Sequence, residues 1–541
     1  MVRFFKKFLI KAKSKREVLK YIKARRNKKI QNILNIKINQ SLENIKYYKS
    51  NFFEKFFINN IYDEDKIITQ YFLHNINWKI FEKKILLGSF KPIILATNLS
   101  FLKNLSKFLK INFYLSFFAF QFFILKNFIL GIAYFFLKII SFFRVNKEYK
   151  NKISSSSFFV GISPECISDE LNGNRKTFNL STWYFDYLDK NKKNRFFFHN
   201  CNKKKNLNCS KIFYLSSPVN IIEIKCLVNF IMYGLILIFI SFICIFLFKW
   251  KLPILLKELL SAKIVRSTSD ELLFKNYFFN NSSWVFRPLW TYEAEKKNSK
   301  VIMYFYASNL ESAHRNDKNI EMPINFYRMM TWKRYFVWDY YHAQTLKNFL
   351  KINDEIKSNS IKFKVVGPIP FEDKKLNLNL NKKNINIILF DIPLYRRANS
   401  YYFDFEVSFY TYKVLKRFYS DILKICRNKE NTNVKLYVKT KRNINIFDHD
   451  KRYKNLIFKL SKDIELIEPV MSPIKLSRYF DACISLPFTS TSRIFKNLGK
   501  KAIYFDPVQY FKKDHKAAKN IEILNYNDLK KWILKLTNET L

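Results

Sequence analysis

Residues 227–248 read LVNFIMYGLILIFISFICIFLF, a run of 22 residues without a charge. As a helix this run is about 33 Å long, enough to cross the hydrocarbon core of a bilayer. Lys225, Lys249 and Lys251 flank it, where long basic side chains reach back to the membrane interface. A second stretch, 111–143, reads INFYLSFFAFQFFILKNFILGIAYFFLKIISFF, with Lys126 in its middle and Lys138 near its end. A charge at the bilayer centre is costly. A re-entrant or interface-lying segment therefore suits this stretch as well as a full span does.

The topology is in conflict. If both stretches cross, the segment 144–226 faces the opposite side from the C-terminal half. That segment carries Arg144, Lys147, Lys150, Lys152, Arg195 and the run Lys203–Lys205, and such basic loops favour the cytoplasmic side. The expectation is that all polar parts stay on one side, with the apolar stretches making a shallow or hairpin-like membrane contact. A single crossing at 227–248 is the rival.

The formal net charge is +53, which suits a polyanion or an anionic membrane surface. Lysine is spread along the whole chain, with the abundance of Asn, Ile and Phe that an AT-rich genome gives. No zinc-finger spacing or GXXG clamp accompanies it, so nucleic acid is not the expected partner and an anionic membrane surface is. The seven cysteines include no C-x-x-C pair, which reads as structural thiols in a reducing compartment.

The expected organisation is a basic N-terminal region at 1–110 and an apolar membrane-associated segment at 111–143. An N-terminal α/β lobe follows at 144–300, interrupted by 227–248, and then a C-terminal Rossmann-like lobe at 301–541. In the first lobe FFVGIS (158–163) reads as a short strand and KLPILLKELLSAKIV (251–265) as a helix. Beyond residue 300 the strand-like runs VIMYFYASN, IKFKVVGPIP, INIILFDIPLY, VKLYVKTKR, CISLP and KAIYFDP alternate with helical patterns. That alternation, with short loops, means a mostly parallel sheet covered by helices. Ser472 and Pro473 fit the N-cap and first position of one such helix.

The segment 481–507, DACISLPFTSTSRIFKNLGKKAIYFDP, carries the sharpest site-like pattern. A strand ends at Pro487, the hydroxyls of Thr489, Ser490, Thr491 and Ser492 follow, and a helix starts that Gly499 can close in a left-handed cap. Ligands of open α/β sheets bind beyond the carboxyl ends of the strands. Unpaired N–H groups at a helix start, with hydroxyl donors, make a phosphate site. The same hydroxyls could instead supply caps and turn bonds.

PFTST at 487–491, within SLPFTST and followed by KKAIYFDP, resembles the polysaccharide biosynthesis proteins named for a PFTS motif. The segment is also similar to the end of the second lobe in two-lobed, GT-B-like nucleotide-sugar and CDP-polyol transferases. The close motif covers 481–507, and the looser likeness about 300–535. The resemblance implies an α/β protein of two Rossmann-like lobes; the apolar membrane helices expected in its N-terminal half are read from the runs 111–143 and 227–248 and lie outside the resemblance. It implies donor phosphate or nucleotide contact by Thr489, Ser490 and Thr491, with Pro487 counted in the same binding loop, and the charge pattern puts that loop at the cytoplasmic face of a bacterial inner membrane. The implied activity is transfer of a sugar from a nucleotide-activated donor to a glycan or lipid-linked acceptor, in capsule or O-antigen synthesis. A CDP-polyol phosphotransferase and a non-catalytic assembly component are the alternatives.

Other residues fit such a reading. Lys439, at the end of the strand VKLYV, can compensate a leaving diphosphate without a metal, with Lys441 its rival. Gly367, after the strand FKVV, can let a ligand approach the backbone or equally make a tight turn with Pro368. A transferase needs a group to take the acceptor proton. Asp339 and His342, spaced i,i+3 on a helical pattern, are candidates, and Glu293 and Glu311 are rivals. No convincing D-x-D follows a strand, which favours metal-independent transfer; no cofactor is expected.

Overall fold

In the computed structural model, short strands form two separate parallel sheets. The described residues are, in the main, 94–106, 110–144, 150–167, 179–188, 196–201, 211–281, 286–307, 330–350, 360–370, 383–394, 409–427, 433–445, 449–469, 471–512 and 521–539. The basic region 1–91 apart from Phe57, the run Lys203–Lys205 and Glu311 lie outside them.

Helix α1 (Phe113–Phe142) precedes strands β1 (Ser157–Val160), β2 (Phe197–His199) and β3 (Ile212–Tyr214). Helices α2 (Ile224–Phe246) and α3 (Lys251–Ser267) follow, then β4 (Asn276–Asn280) and α4 (Trp290–Lys296). The first sheet is completed by β5 (Lys300–Tyr304), β6 (Arg334–Val337) and β7 (Lys362–Val365), with α5 (Tyr340–Leu350) between the last two. Its order is β3-β2-β1-β4-β5-β6-β7, all parallel.

The second sheet begins with β8 (Ile385–Phe390), α6 (Tyr412–Cys426), β9 (Val434–Lys439), α7 (Lys451–Leu460) and β10 (Glu465–Ile467). It continues through β11 (Ala482–Ser485), α8 (Ser490–Asn497), β12 (Lys501–Phe505), β13 (Ile523–Leu524) and α9 (Tyr526–Asn538). Its order is β10-β9-β8-β11-β12-β13, also all parallel. Each sheet starts in its interior, winds to one edge, then resumes on the other side. Such winding leaves a crevice at the carboxyl ends where the direction reverses. The reversals lie between β1 and β4 and between β8 and β11.

Central strands of such sheets are covered on both faces, so they read as unbroken apolar runs. In β1, Phe158 and Val160 enter the core beneath α3 and α4, while Phe159 enters the opposite one. There Phe159 stacks between Phe197 and Phe278, with centroids 4.3 and 4.4 Å away.

The boundary between lobes differs from the expected one at residue 300. Strands β5, β6 and β7 belong to the first sheet, so the change of sheet falls between Val365 and Ile385. The strand–helix alternation runs through this point without a break, and periodicity does not say which sheet a strand joins.

Both apolar stretches are helices long and apolar enough to cross a membrane. They run antiparallel, with Phe135 against Phe230 and Phe128 against Phe242. Both pack on α3, and α3 packs in turn on α4. Gly131 and Gly234 permit this closeness. A Cβ on Gly131 would fall 2.6 Å from Leu256, and one on Gly234 would fall 2.3 Å from the Phe135 ring. Lys138 is buried, with its ammonium donating to Ser217 Oγ at 2.9 Å and to the Val219 carbonyl.

Candidate functional site

The PFTST loop follows β11 at the reversal point of the second sheet. Pro487 ends the strand's approach, and its carbonyl accepts a 2.6 Å hydrogen bond from the Tyr410 hydroxyl. Phe488 takes a left-handed backbone, φ 61°, a conformation costly for a bulky side chain. Its ring is held edge-on by Phe511 at 5.0 Å and lies 5.8 Å from Tyr504. The Asp506 carboxylate fixes that support by accepting from the Val508, Tyr510 and Phe511 N–H groups at 2.6–3.1 Å. Burial pushes the Asp506 carboxyl up, against the pull of these N–H groups.

Beyond Phe488 the hydroxyls divide. Thr489 donates to Ser485 Oγ at 2.7 Å, Ser485 and Ser492 lie 2.5 Å apart, and Ser492 donates to the Ile503 carbonyl at 2.9 Å. Thr489 is the N-cap of α8, yet its side chain makes no cap hydrogen bond. Its hydroxyl is committed to the loop interior, so the helix start has no side-chain acceptor from its own cap. Ser490 and Thr491 form the first turn and are half-buried. This arrangement presents backbone donors and the positive end of a helix dipole at the sheet's crevice.

Strand β8 exits beside this loop into Asp391, a buried carboxylate that accepts from Tyr453 at 2.8 Å, Tyr419 at 3.0 Å and Lys441 N at 3.4 Å. Burial pushes its carboxyl up, opposed by the tyrosine hydroxyls, the Lys441 N–H and the Lys439 charge. Lys439 is the last residue of β9 and buried, and Thr440 turns the chain by donating to the Arg442 carbonyl at 3.0 Å. Asp391 thus anchors the basic loop Lys439–Arg442 next to the PFTST crevice.

The carboxyl end of β6 in the first lobe meets this region. Trp338 packs with Ile474 and Ile494 of the second lobe. Asp339 pairs with Arg493, which is 1% exposed, and accepts from Asn497 at 3.1 Å and from His342 N–H at 2.8 Å. Burial pushes the Asp339 carboxyl up, but the Arg493 charge and these donors outweigh it and hold it low. His342 is buried against Phe305 and accepts the Trp338 N–H on Nδ1 at 3.4 Å, while Nε2 has no hydrogen-bond partner. Burial and then the Arg493 charge hold its imidazole well below its usual range, against the opposing pull of Asp339.

Of the residues singled out in the sequence, Pro487, Thr489, Ser490, Thr491 and Lys439 lie at the carboxyl edge of the second sheet, around its reversal point. Asp339 and His342 lie at the lobe junction, joined to it through Arg493. Gly367 follows β7 at the carboxyl edge of the first sheet with φ +75°, and a Cβ there would meet nothing within 4 Å. Glu293 is not brought to this edge. It lies in α4, ahead of β5, and pairs with Arg266 at 3.2 Å and Lys296 at 3.1 Å. Sequence reasoning missed Asp391, Tyr419, Tyr453 and Arg493. Asp391 was visible as the polar exit of INIILFDIP, and Arg493 as the charge inside TSTSRIF. Among the described residues no group of three or more His, Cys, Asp and Glu side chains could hold a metal ion.

No curated protein matches the chain. Among solved structures the chain is similar to a variant of the wall teichoic acid polymerase TagF, with 12% identity, a TM-score of 0.38, and coverage of 78% of this chain and 89% of that one. It is similar to an α,α-trehalose 6-phosphate synthase from Burkholderia multivorans, with 7% identity, a TM-score of 0.35 and coverage of 72% and 91%. It is also similar to UGT89C1 of Arabidopsis thaliana complexed with UDP-L-rhamnose, with 8% identity, a TM-score of 0.36 and coverage of 72% and 90%. A protein-family model matches residues 235–533, more than half of the chain and all of the second sheet with its PFTST loop. The chain belongs to the polysaccharide biosynthesis PFTS motif protein family.

Proposed function

We propose that this protein is a metal-independent, glycosyltransferase-like enzyme of bacterial surface polysaccharide synthesis. It moves a sugar from a nucleotide-activated donor to a glycan or lipid-linked acceptor, with its lobes on the cytoplasmic face of the inner membrane. The observation that carries the reading is the position of the PFTST loop, at the reversal point of a doubly wound sheet and facing a second such lobe.

In this reading the first turn of α8 holds the donor diphosphate through backbone N–H groups and the hydroxyls of Ser490 and Thr491. Thr489 shapes the loop from inside. Lys439 compensates the negative charge that builds on the leaving diphosphate, the type of stabilisation that contributes most to such transfers. Asp391 keeps the Lys439 loop in place. Gly367 leaves the opposite edge open to the acceptor. Asp339 and His342 set the spacing of the lobes, and Glu293 serves the packing of the first lobe.

The test is a binding and turnover screen of nucleotide sugars and CDP-polyols on the purified full chain. The reading expects saturable binding of a nucleotide sugar, with release of its nucleotide when acceptor is present. Binding and turnover of CDP-polyols alone would move the protein to polyol-phosphate transfer. Absence of binding by both classes would overturn the reading.

A further inference from the structure

The first lobe carries a layer of helix that its own fold does not need. Helix α3 covers the first sheet together with α4, and it is buried along most of its length. Helices α1 and α2 form an additional layer outside it. Each has one buried face, with Phe120, Ile124, Phe128 and Phe135 in α1 and Phe230 and Leu237 in α2, that joins the core containing α3. The opposite faces are as apolar as the buried ones. Phe118 is 65% exposed, Phe122 70%, Phe239 65% and Phe246 67%. Monomeric soluble proteins rarely expose a contiguous apolar surface of this extent.

Three observations say what covers this surface and how. The seating on α3 runs along the helices. Phe120 meets Trp250, the Cβ position of Gly131 meets Leu256, and the Tyr134 hydroxyl accepts from Ser261, all in the same order along α3. On α2, Gly234 lies by Leu260 and Cys226 by Ile264. Helix α3 is itself tied to the α/β lobe, with Glu258 accepting the Leu289 N–H at 3.0 Å. If α1 and α2 stood across a bilayer, α3 and the polar lobe attached to it would be drawn into hydrocarbon, where unpaired polar groups are not tolerated. Second, Lys126 is exposed midway along α1, among Phe122, Leu125, Ile129 and Leu130. In a spanning helix it would sit near the bilayer centre. In a helix lying flat its amine needs to climb only about one helix radius, ~5 Å, to reach the headgroups. Third, the rim of the layer is cationic. Lys110 and Arg144 bracket α1, Lys225 and Lys249 bracket α2, and Lys257 and Lys263 emerge from α3 over the rings of Tyr134 and Tyr233.

We infer that α1 and α2 lie side by side in the plane of an anionic bilayer, with their outer faces in the boundary between headgroups and acyl chains, and that neither helix crosses. This deepens the membrane contact assigned above and does not depend on the donor chemistry. It puts the segment 144–226 and both sheets on the same side, which removes the conflict between the basic loop and two crossings. Segments of this kind insert about 5–10 Å deep.

The experiment places one nitroxide at a time on the outer face of the full-length chain, at Phe118→Cys, Phe122→Cys, Ile129→Cys and Phe136→Cys. The chain is bound to vesicles of phosphatidylglycerol and phosphatidylethanolamine, and label depth is read from collision with oxygen and with a polar relaxer. In-plane seating gives the same shallow depth at all four positions. A profile deepest at Ile129 and shallow at Phe118 and Phe136 would mean a spanning helix and would overturn the inference while leaving membrane attachment intact. Vesicle flotation provides the second arm. Phe118→Glu with Phe239→Glu should weaken partition by at least tenfold, and Lys126→Gln should weaken it on anionic vesicles more than on neutral ones. No flotation by the unsubstituted chain would overturn both the inference and the membrane reading, with the donor reading untouched.

Discussion

Nη2 of Arg493 lies 2.5 Å from Oδ1 and 2.6 Å from Oδ2 of Asp339, and this contact ties α8 of the second lobe to the exit of β6 in the first. The tie and the PFTST loop share one short helix. The loop occupies its N-terminal end, and Arg493 leaves its side one turn later. Any separation of the lobes has to break a buried, charge-assisted pair. The shared helix also explains why Asp339 is a poor proton acceptor, since its carboxylate is engaged by Arg493, Asn497 and the His342 N–H.

The first prediction follows from the burial of this pair. Removing one partner leaves a charge without its counterpart and costs about 3–5 kcal/mol, whereas removing both costs less. Asp339→Asn should therefore lower the thermal midpoint more than the double variant Asp339→Asn with Arg493→Met. Calorimetric unfolding of the single and double variants checks this. Additive losses would mean that the pair is not coupled.

Much of the second lobe was legible in the sequence because its strands are short apolar runs with polar exits. INIILF, VKLYVK, ACIS and KAIYF form β8, β9, β11 and β12. Pro473 stands at the start of the short helix Pro473–Leu476, with Ser472 as its N-cap, and Gly499 closes α8 with φ 76°. These are local signals, set by backbone conformation, and they survive without tertiary context. The membership of β5–β7 in the first sheet was not legible, because a parallel strand reads the same in either sheet. The same limit applies to Asp339 and His342. Their i,i+3 spacing suggested a shared catalytic face, but Arg493 arrives from 154 residues away, and no local pattern announces it. Lys138 is a third case. It reads as an interruption of an apolar helix and is instead bonded by the segment Ser217–Asn220 before α2.

The second prediction concerns Asp391. Its carboxylate serves two tyrosine hydroxyls and the Lys441 N–H, and an amide cannot accept from all three with both oxygens. Asp391→Asn should cost about 1–3 kcal/mol in stability. It should also weaken binding of a nucleoside diphosphate, through the displaced Lys439 loop, while Tyr419→Phe has a smaller effect on both. Thermal unfolding and calorimetric titration on the same preparations decide it. A stability loss with unchanged affinity would detach Asp391 from the site.

The third prediction is a pH dependence. His199 ends β2, is buried, and accepts the Cys201 N–H on Nδ1. Burial pushes its imidazole down to about 4, below the ordinary value of about 6.5 that it regains on unfolding. Between these values the unfolded chain binds the extra proton, so the contribution of His199 to stability is complete above about pH 6.5 and is lost as pH falls toward 4. The loss is on the order of 3 kcal/mol. His199→Gln should flatten the decline of stability over that window, measured by thermal unfolding across pH. An unchanged slope would contradict the assignment.

The fourth prediction separates the two kinds of hydroxyl in the motif. Thr489 bonds inward to the buried Ser485 at 2.7 Å, while its contact with Thr491 is longer, 3.1 Å, and only partly buried. Thr489→Ala should therefore act first on folding, by about 1 kcal/mol, and Thr489→Ser should restore most of it. Thr491→Ala should leave the thermal midpoint nearly unchanged. The reverse order would mean that Thr491 holds the loop and Thr489 does not.

The central claim is that the first turn of α8, with Lys439, holds a diphosphate. Calorimetric titration of the bound nucleoside diphosphate and of its parent nucleoside, against the unsubstituted chain, Thr491→Ala and Lys439→Ala, tests it most directly. A hydrogen bond to a charged group contributes about 1.5–3 kcal/mol. The account therefore predicts diphosphate binding weaker by roughly tenfold to a hundredfold in each variant, with nucleoside binding nearly unchanged in both and the thermal midpoint nearly unchanged in Thr491→Ala, while Lys439→Ala, which strips a buried charge beside Asp391, is titrated well below its own midpoint. Equal losses for nucleoside and diphosphate, or no loss for either, would contradict it.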